Sequence, residues 1–280
     1  MQNSQHLTAN YSLLGTLYGI GVGPGDPELI TVKALNRLRA ASVVAFPAGL
    51  NNRPGVAERS IGPWLSDGQQ RLPLVFPYVQ DSQTLDQAWE KAAAVLLPYL
   101  AQGDVVFACE GDVSFYSTFT YLAEYVQRRH PEVKIEAIAG VSSPMAAAAA
   151  LGIPLTCQAQ QLAILPALYT VHQLETVLTW AEAIVLMKVG SVYAQVWEIL
   201  ERHQLLESSY VVVNATRPEQ AVYSKLQHYP DLKLPYFSLM IIKRDISAST
   251  LPSLNAVTSP KNSPITGWSD KNIETSLSPG

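Results

Sequence analysis

The chain reads as an α/β protein made of two consecutive α/β domains with mostly parallel or mixed sheets. Three observations predict this. Short β-branched runs alternate with helix-like segments from residue 17 onward, glycine turns follow several of those runs, and a second series of alternation begins near Lys134.

The elements follow in order. Residues 16–22 are strand-like, and Asp26-Pro27-Glu28 then supplies an N-cap, a first-turn proline and an early acid, so a helix should follow. Its apolar stripe is Leu29, Ile30, Val32, Ala34, Leu35 and Leu38, with Lys33, Asn36, Arg37 and Arg39 between. Strands are expected at 43–46, 72–76 and 105–109, and helices at 84–101 and 114–129. The second series predicts strands at 135–139, 162–165, 183–187, 210–214 and 236–242, with helices at 142–151, 171–180 and 191–203. A seam near 129–133 divides an N-terminal domain, 16–130, from a C-terminal one, 131–246. A polar leader, 1–15, precedes them, and a disordered tail rich in Ser and Pro, 247–280, follows.

Composition narrows the function classes. Of 280 residues, 48% are hydrophobic and 15% charged, enough apolar surface to offset chain entropy without covalent staples. A net charge of −4 gives no broad basic field, which argues against a nucleic-acid partner. Cys109 and Cys157 form no CxxC, and the five histidines are scattered without ligand spacing, so no protein-bound metal and no disulfide framework are expected. Residues 1–16 lack the basic start and apolar core of a signal peptide, and no apolar run approaches the roughly 18 residues of a membrane span. A soluble cytoplasmic protein is the expectation.

Three turns carry the chemistry. The first, Gly19-x-Gly21-x-Gly23-Pro24-Gly25-Asp26, leads from strand to helix. It is not GxGxxG, no acid ends the second strand to hold a ribose, and no Gly-Lys-Ser/Thr closes it, so a nicotinamide site and a P-loop both fail. The second is Glu110-Gly111-Asp112-Val113-Ser114-Phe115-Tyr116 at the carboxyl end of a strand, where open α/β sheets place ligands. Its acid pair suits ribose hydroxyls or a cation, although Asp112 alone reads as a helix cap and Cys109 as a buried strand residue. The third, Ala139-Gly140-Val141-Ser142-Ser143, adds two hydroxyls that capping alone would explain.

In order, these segments resemble a family. YGIGVGPGDPELITVKAL is similar to the opening signature of the tetrapyrrole methylases, which use S-adenosylmethionine. EGDVSFYSTFTYL, AGVSSPMAAAAALGIPL and AIVLMKVG resemble their later signatures. VVVNATRPEQAVYSKL and LPYFSLMIIKR resemble the C-terminal part of the branch that methylates C20 of precorrin-2 or of its cobalt complex, cobalt-factor II, in cobalamin biosynthesis. The resemblance runs from about residue 16 to 244.

The resemblance implies two α/β domains enclosing a cofactor cleft, S-adenosylmethionine as methyl donor, a tetrapyrrole substrate and a homodimer. Carried over by motif, Pro24, Glu110, Gly111, Asp112 and Phe115 would lie along the cofactor, Ser142 and Ser143 at its amino-acid end, and Met187, Ala215 and Thr216 on the adenine side. Asp26, Arg53, Tyr116, Lys188 and Arg217 are candidates for the substrate, with Arg59 and Arg71 as further cations for its carboxylates. No catalytic acid or base is assigned. Val113 and Ser117 stand where the family commonly has proline and glycine, which implies a shifted loop. The alternatives are methylation at another ring position, as on uroporphyrinogen III, and a ligand-binding α/β protein without turnover.

Overall fold

The computed structural model describes residues 14–49, 53–77, 81–166 and 171–244, so the expected tail and the leader up to residue 13 lie outside the described residues. These residues form two compact units, one holding those up to Gly23 and Pro27–Val141, the other Pro24–Asp26 and those from Ser142 onward.

The first unit is an all-parallel sheet of β1 (Leu17–Gly21), β2 (Val43–Pro47), β3 (Gln70–Leu74), β4 (Val105–Cys109) and β5 (Ile135–Ile138), in the order β3-β2-β4-β1-β5. The central strands β1 and β4 are buried along their whole length, as strands covered on both faces must be. Leu17, Val105, Phe107 and Cys109 meet α3 (Ser82–Leu100) and α4 (Thr118–Arg129) on one face. Tyr18, Ile20, Val106 and Ala108 meet α1 (Val32–Ala40) and α2 (Val56–Ile61) on the other. Gly19 is a packing glycine, because a Cβ there would stand 2.4 Å from the Phe119 ring of α4.

Three sequence expectations for this unit are corrected. The seam expected at 130/131 falls at 141/142, because β5 extends the first sheet beside β1, Leu17 to Ile20 against Ile135 to Ile138. Asp26-Pro27-Glu28 does not cap an α-helix: Pro27–Leu29 is a single 3₁₀ turn, and α1 starts at Val32. Thr31 is the better cap, since its hydroxyl accepts from the Ala34 N–H at 3.3 Å and donates to the Ala139 carbonyl at 3.1 Å. The helix expected at 114–129 begins at Thr118, behind the Ser117 cap. Helix α2 had no signal, being six residues between Gly55 and Gly62.

The second unit is a mixed sheet of β6 (Leu162–Pro166), β7 (Ala183–Met187), β8 (Ser209–Val213), β9 (Ala221–Tyr223) and β10 (Ser238–Lys243). Its order is β6-β7-β10-β8-β9, with β6 and β7 parallel and the remaining pairs antiparallel. The alanine-rich α5 (Ser143–Leu151) packs Ala147 and Ala148 on Val185, Val212 and Ile241. Gly152 ends it in the left-handed region, φ 65°. Helices α6 (Leu174–Val177) and α7 (Tyr193–Arg202) cover the opposite face through Leu174, Val196 and Leu200. The helix expected at 171–180 is broken into a 3₁₀ turn and the short α6. Lys243 is 7% exposed at the end of β10, where its Nζ donates to the Leu155 carbonyl at 2.8 Å and to Gln160 Oε1 at 3.2 Å. Desolvation lowers its pKa. No helix among the described residues is long and apolar enough to cross a membrane.

Candidate functional site

In the first unit the chain crosses over where β4 and β5 flank β1, and the loops after all three strands meet at the carboxyl edge. Gly23 and Gly111 pair with each other, Gly111 N–H to the Gly23 carbonyl at 2.8 Å and Gly23 N–H to the Gly111 carbonyl at 3.2 Å. Both take left-handed backbone, φ 77° and 69°, where glycine is the cheap choice. A Cβ on Gly21 would lie 2.6 Å from the Gly111 oxygen, and one on Gly140 2.3 Å from it. The three turns therefore sit directly on one another because none carries a side chain at the contact.

Asp112 locks this arrangement. Its Oδ1 accepts from Ser114 N–H at 2.9 Å and Ser114 Oγ at 2.5 Å, and its Oδ2 accepts from the Gly140 N–H at 2.7 Å. Partial burial pushes the carboxyl pKa up, but these bonds to the anion outweigh it and hold the group below its ordinary value. Asp112 is thus a brace between the second and third loops and not the cap of α4. That cap is Ser117, whose hydroxyl accepts from the Phe119 N–H at 3.0 Å and donates to Cys109 Sγ at 3.3 Å. Burial pushes the Cys109 thiol up to about 12, so it is a core residue and no nucleophile. The two departures from the family pattern are accounted for here: Val113 is buried in the α3/α4 core and Ser117 caps α4. Past the brace, Phe115 and Tyr116 stack edge to face at 4.8 Å, with Tyr116 half exposed in left-handed backbone, φ 50°. Glu110 is half-buried beside them in sequence.

The expected cations of this unit are dispersed. Arg53 is exposed in the loop after β2, on the carboxyl side of the sheet. Arg59 donates to the Pro54 carbonyl at 2.9 Å, and Arg71 is the second residue of β3, toward the amino side.

In the second unit, Met187, Asn214 and Ser238 share one sheet edge, since Leu239 pairs with Met187 and Ser238 with Val213. Met187 and Ala215 pack in the layer under α5, whose N-cap Ser142 makes no cap bond to its own helix. Ser142 and Ser143 are half-buried. Lys188, Asn214 and Thr216 all adopt left-handed backbone, at φ 57°, 49° and 66°. Lys188 Nζ lies 5.2 Å from the centre of the Tyr236 ring. Thr216 Oγ1 accepts from the Asp26 N–H at 3.1 Å, and Arg217 Nε donates to the Pro24 carbonyl at 3.2 Å. Sequence reasoning missed Gln220, whose Oε1 accepts from the Thr216 N–H at 2.7 Å, and Asn214, whose Oδ1 accepts from Arg217 Nη1 at 3.2 Å. Their one signal was a polar turn, Asn-Ala-Thr-Arg-Pro-Glu-Gln, after an apolar strand. No group of three or more metal-ligating side chains is gathered among the described residues.

A compact parallel α/β unit with glycine turns at the carboxyl edge of its strands, followed by a mixed α/β unit, defines the class. The model of the tetrapyrrole (corrin/porphyrin) methylases matches residues 16–229, and the chain belongs to that family. It is similar to the cobalamin biosynthesis protein CobIJ of Mycobacterium tuberculosis, 35% identical over 82% of this chain but 46% of that protein, so the chain spans about half that relative's length. It is 33% identical to a probable cobalt-precorrin-2 C(20)-methyltransferase of Methanocaldococcus jannaschii, over 83% of this chain and 97% of that one. In fold it resembles the uroporphyrin-III C-methyl transferase of Thermus thermophilus complexed with S-adenyl homocysteine. There the TM-score is 0.55 at 20% identity, covering 82% of this chain and 97% of that one.

Proposed function

We propose that the protein transfers a methyl group from S-adenosylmethionine to the C20 meso carbon of precorrin-2, or of its cobalt complex, in corrin ring biosynthesis. The observation that carries this reading is the match to the probable cobalt-precorrin-2 C(20)-methyltransferase of Methanocaldococcus jannaschii across 97% of that protein's length. The glycine edge of the first unit supports it. Backbone stacked without side chains at Gly21, Gly23, Gly111 and Gly140 suits close approach of a nucleoside ligand.

When bound, S-adenosylmethionine supplies an electrophilic methyl carbon on a sulfonium. The chain's task is placement. In the first unit we assign Glu110, Gly111, Asp112 and Phe115 to the loop along the ribose and methionine parts. Asp112 acts by holding the loop to Gly140, because its oxygens already accept from Ser114 and Gly140. In the second unit we assign Pro24 to the cofactor's side, Ser142 and Ser143 to its amino-acid end, and Met187, Ala215 and Thr216 to the adenine. Asp26, Arg53, Tyr116 and Lys188 are assigned to the macrocycle, Arg53 and Lys188 as partners of its carboxylates. An electron-rich meso carbon is its own nucleophile, so orientation and exclusion of water can supply roughly 7 kcal/mol or more of the rate without a named base.

The test is incubation with deuteromethyl-labelled S-adenosylmethionine and, separately, uroporphyrinogen III, metal-free precorrin-2 and its cobalt complex, followed by mass spectrometry of the macrocycle. One labelled methyl on one of the dimethylated rings, placed at the meso carbon by NMR, supports C20 transfer and selects the substrate. Label on uroporphyrinogen III moves the activity to another ring position.

A further inference from the structure

We infer that Arg217 is a positioning residue that holds the Pro24–Asp26 turn in place, and is not a cation for the ring's carboxylates. The inference rests on the methyl-transfer reading, in which Pro24 and Asp26 border the ligands. The guanidinium is engaged on three sides within the second unit. Nε donates to the Pro24 carbonyl at 3.2 Å, Nη1 donates to Asn214 Oδ1 at 3.2 Å, and its carbon lies 4.1 Å from the centre of the Phe237 ring. The aliphatic stem is fitted as closely, because a Cβ on Gly25 would stand 2.3 Å from Arg217 Cγ. Gly25 is thus a glycine on two counts, its backbone at φ 158° and the arginine stem lying across it.

The receiving turn is shaped for the same purpose. Asn214 and Thr216 hold left-handed backbone, which side-chain-bearing residues rarely adopt. That conformation is fixed by the Arg217 N–H to the Asn214 carbonyl at 3.0 Å and the Thr216 N–H to Gln220 at 2.7 Å. It places Thr216 Oγ1 under the Asp26 N–H. Two donors fixed on separate acceptors, with the guanidinium over the Phe237 ring, are a task for a planar fork, and a lysine's point charge cannot reproduce it.

The experiment compares the wild type with Arg217→Ala, Arg217→Lys and Gly25→Ala by steady-state kinetics, calorimetry of S-adenosylmethionine binding and hydrogen exchange of the peptide spanning 22–30. Arg217→Ala is expected to lower kcat ~10- to 100-fold, the scale of a misplacement near 1 Å, with the tetrapyrrole KM changed less than ~3-fold. Arg217→Lys does not rescue, Gly25→Ala gives the same loss with the arginine's charge intact, and the Asp26 amide exchanges faster in all three. A rise of ~10-fold or more in tetrapyrrole KM at unchanged kcat, rescued by lysine and absent in Gly25→Ala, would overturn the inference. If Arg217→Ala does not fold, Arg217→Lys decides alone, because Gly25→Ala also strains the turn through its own backbone at φ 158°. Should the wild type methylate no tetrapyrrole, the functional reading fails, while the exchange measurement still decides the role of Arg217.

Discussion

The two loop edges to which we assign the ligands are made by different means. In the first unit, glycines let three loops stack backbone on backbone, and one carboxylate, Asp112, ties them. In the second, side chains do more of the shaping: Lys188, Asn214 and Thr216 are held in left-handed backbone without being glycine, where the first edge has, among the described residues, only Tyr116 so held. The difference follows from sheet type. Parallel β1, β4 and β5 deliver three strand-to-helix loops to one edge, so the loops crowd and only glycine fits. In the mixed sheet, β10 runs antiparallel between β7 and β8, so the corresponding loops are separated by the incoming segment at Phe237. There side chains carry the hydrogen bonds.

The strongest way to break this comparison is Gly140→Ala. Its Cβ would lie 2.3 Å from the Gly111 oxygen and 2.7 Å from Gly21, all backbone atoms that cannot rotate away. We expect a loss of about 2–4 kcal/mol in chemical denaturation and a fall in kcat/KM of about 100-fold or more. Near-normal stability would mean the loops are not in contact as described.

A matched pair sharpens the contrast. Gly23→Ala places a Cβ at φ 77°, 3.1 Å from the Leu29 Cβ, and should cost about 1–2 kcal/mol. Lys188→Gly relieves a strain of similar size at φ 57°. Against that stand roughly 0.5–1 kcal/mol each for glycine's chain entropy and the lost contact with Tyr236. The net change should be under about 1 kcal/mol, while the tetrapyrrole KM rises. A loss above about 2 kcal/mol would make Lys188 a structural residue.

Asp112→Asn tests the brace through pH. Because the folded-state pKa lies below the ordinary 3.8, the anion stabilises the fold above that value, and the contribution is lost as pH falls through the folded pKa. The wild type should exceed the asparagine variant by about 1 kcal/mol at neutral pH, a charged hydrogen-bond set discounted for exposure. Melting curves should then converge in acid, below the carboxylate range. A gap that stays constant with pH would assign the loss to shape and not to charge.

Much of this was legible in the chain itself. Buried parallel strands announce themselves as short apolar runs, so 105–109 fell on β4 and 183–187 on β7 without error. The glycine turns were visible because glycine spacing is a covalent signature. The domain boundary was not, because β5 looks like any other strand and only its pairing with β1 assigns it to the first sheet. Nor was the role of Asp26-Pro27-Glu28, since a capping pattern cannot reveal that the Asp26 N–H is taken by Thr216, 190 residues away. The second edge was least legible, for left-handed Lys188 and Thr216 leave no compositional trace.

The smallest expected effect falls on Arg53, and its size follows from exposure. An exposed arginine facing a ligand carboxylate contributes roughly 0.2–1 kcal/mol, so Arg53→Ala should raise the tetrapyrrole KM about 1.4- to 5-fold and leave S-adenosylmethionine affinity alone. The same argument makes the effect depend on salt, because a solvated pair is screened within about 10 Å at 0.1 M ionic strength. The wild-type and variant KM values should therefore approach each other as salt is raised. For Arg217→Ala, whose expected kcat loss stems from part-buried hydrogen bonds to Pro24 and Asn214, the difference should persist. An Arg53 effect that ignores salt, or no effect at all, removes it from the substrate's surroundings and leaves Lys188 as the cation to examine.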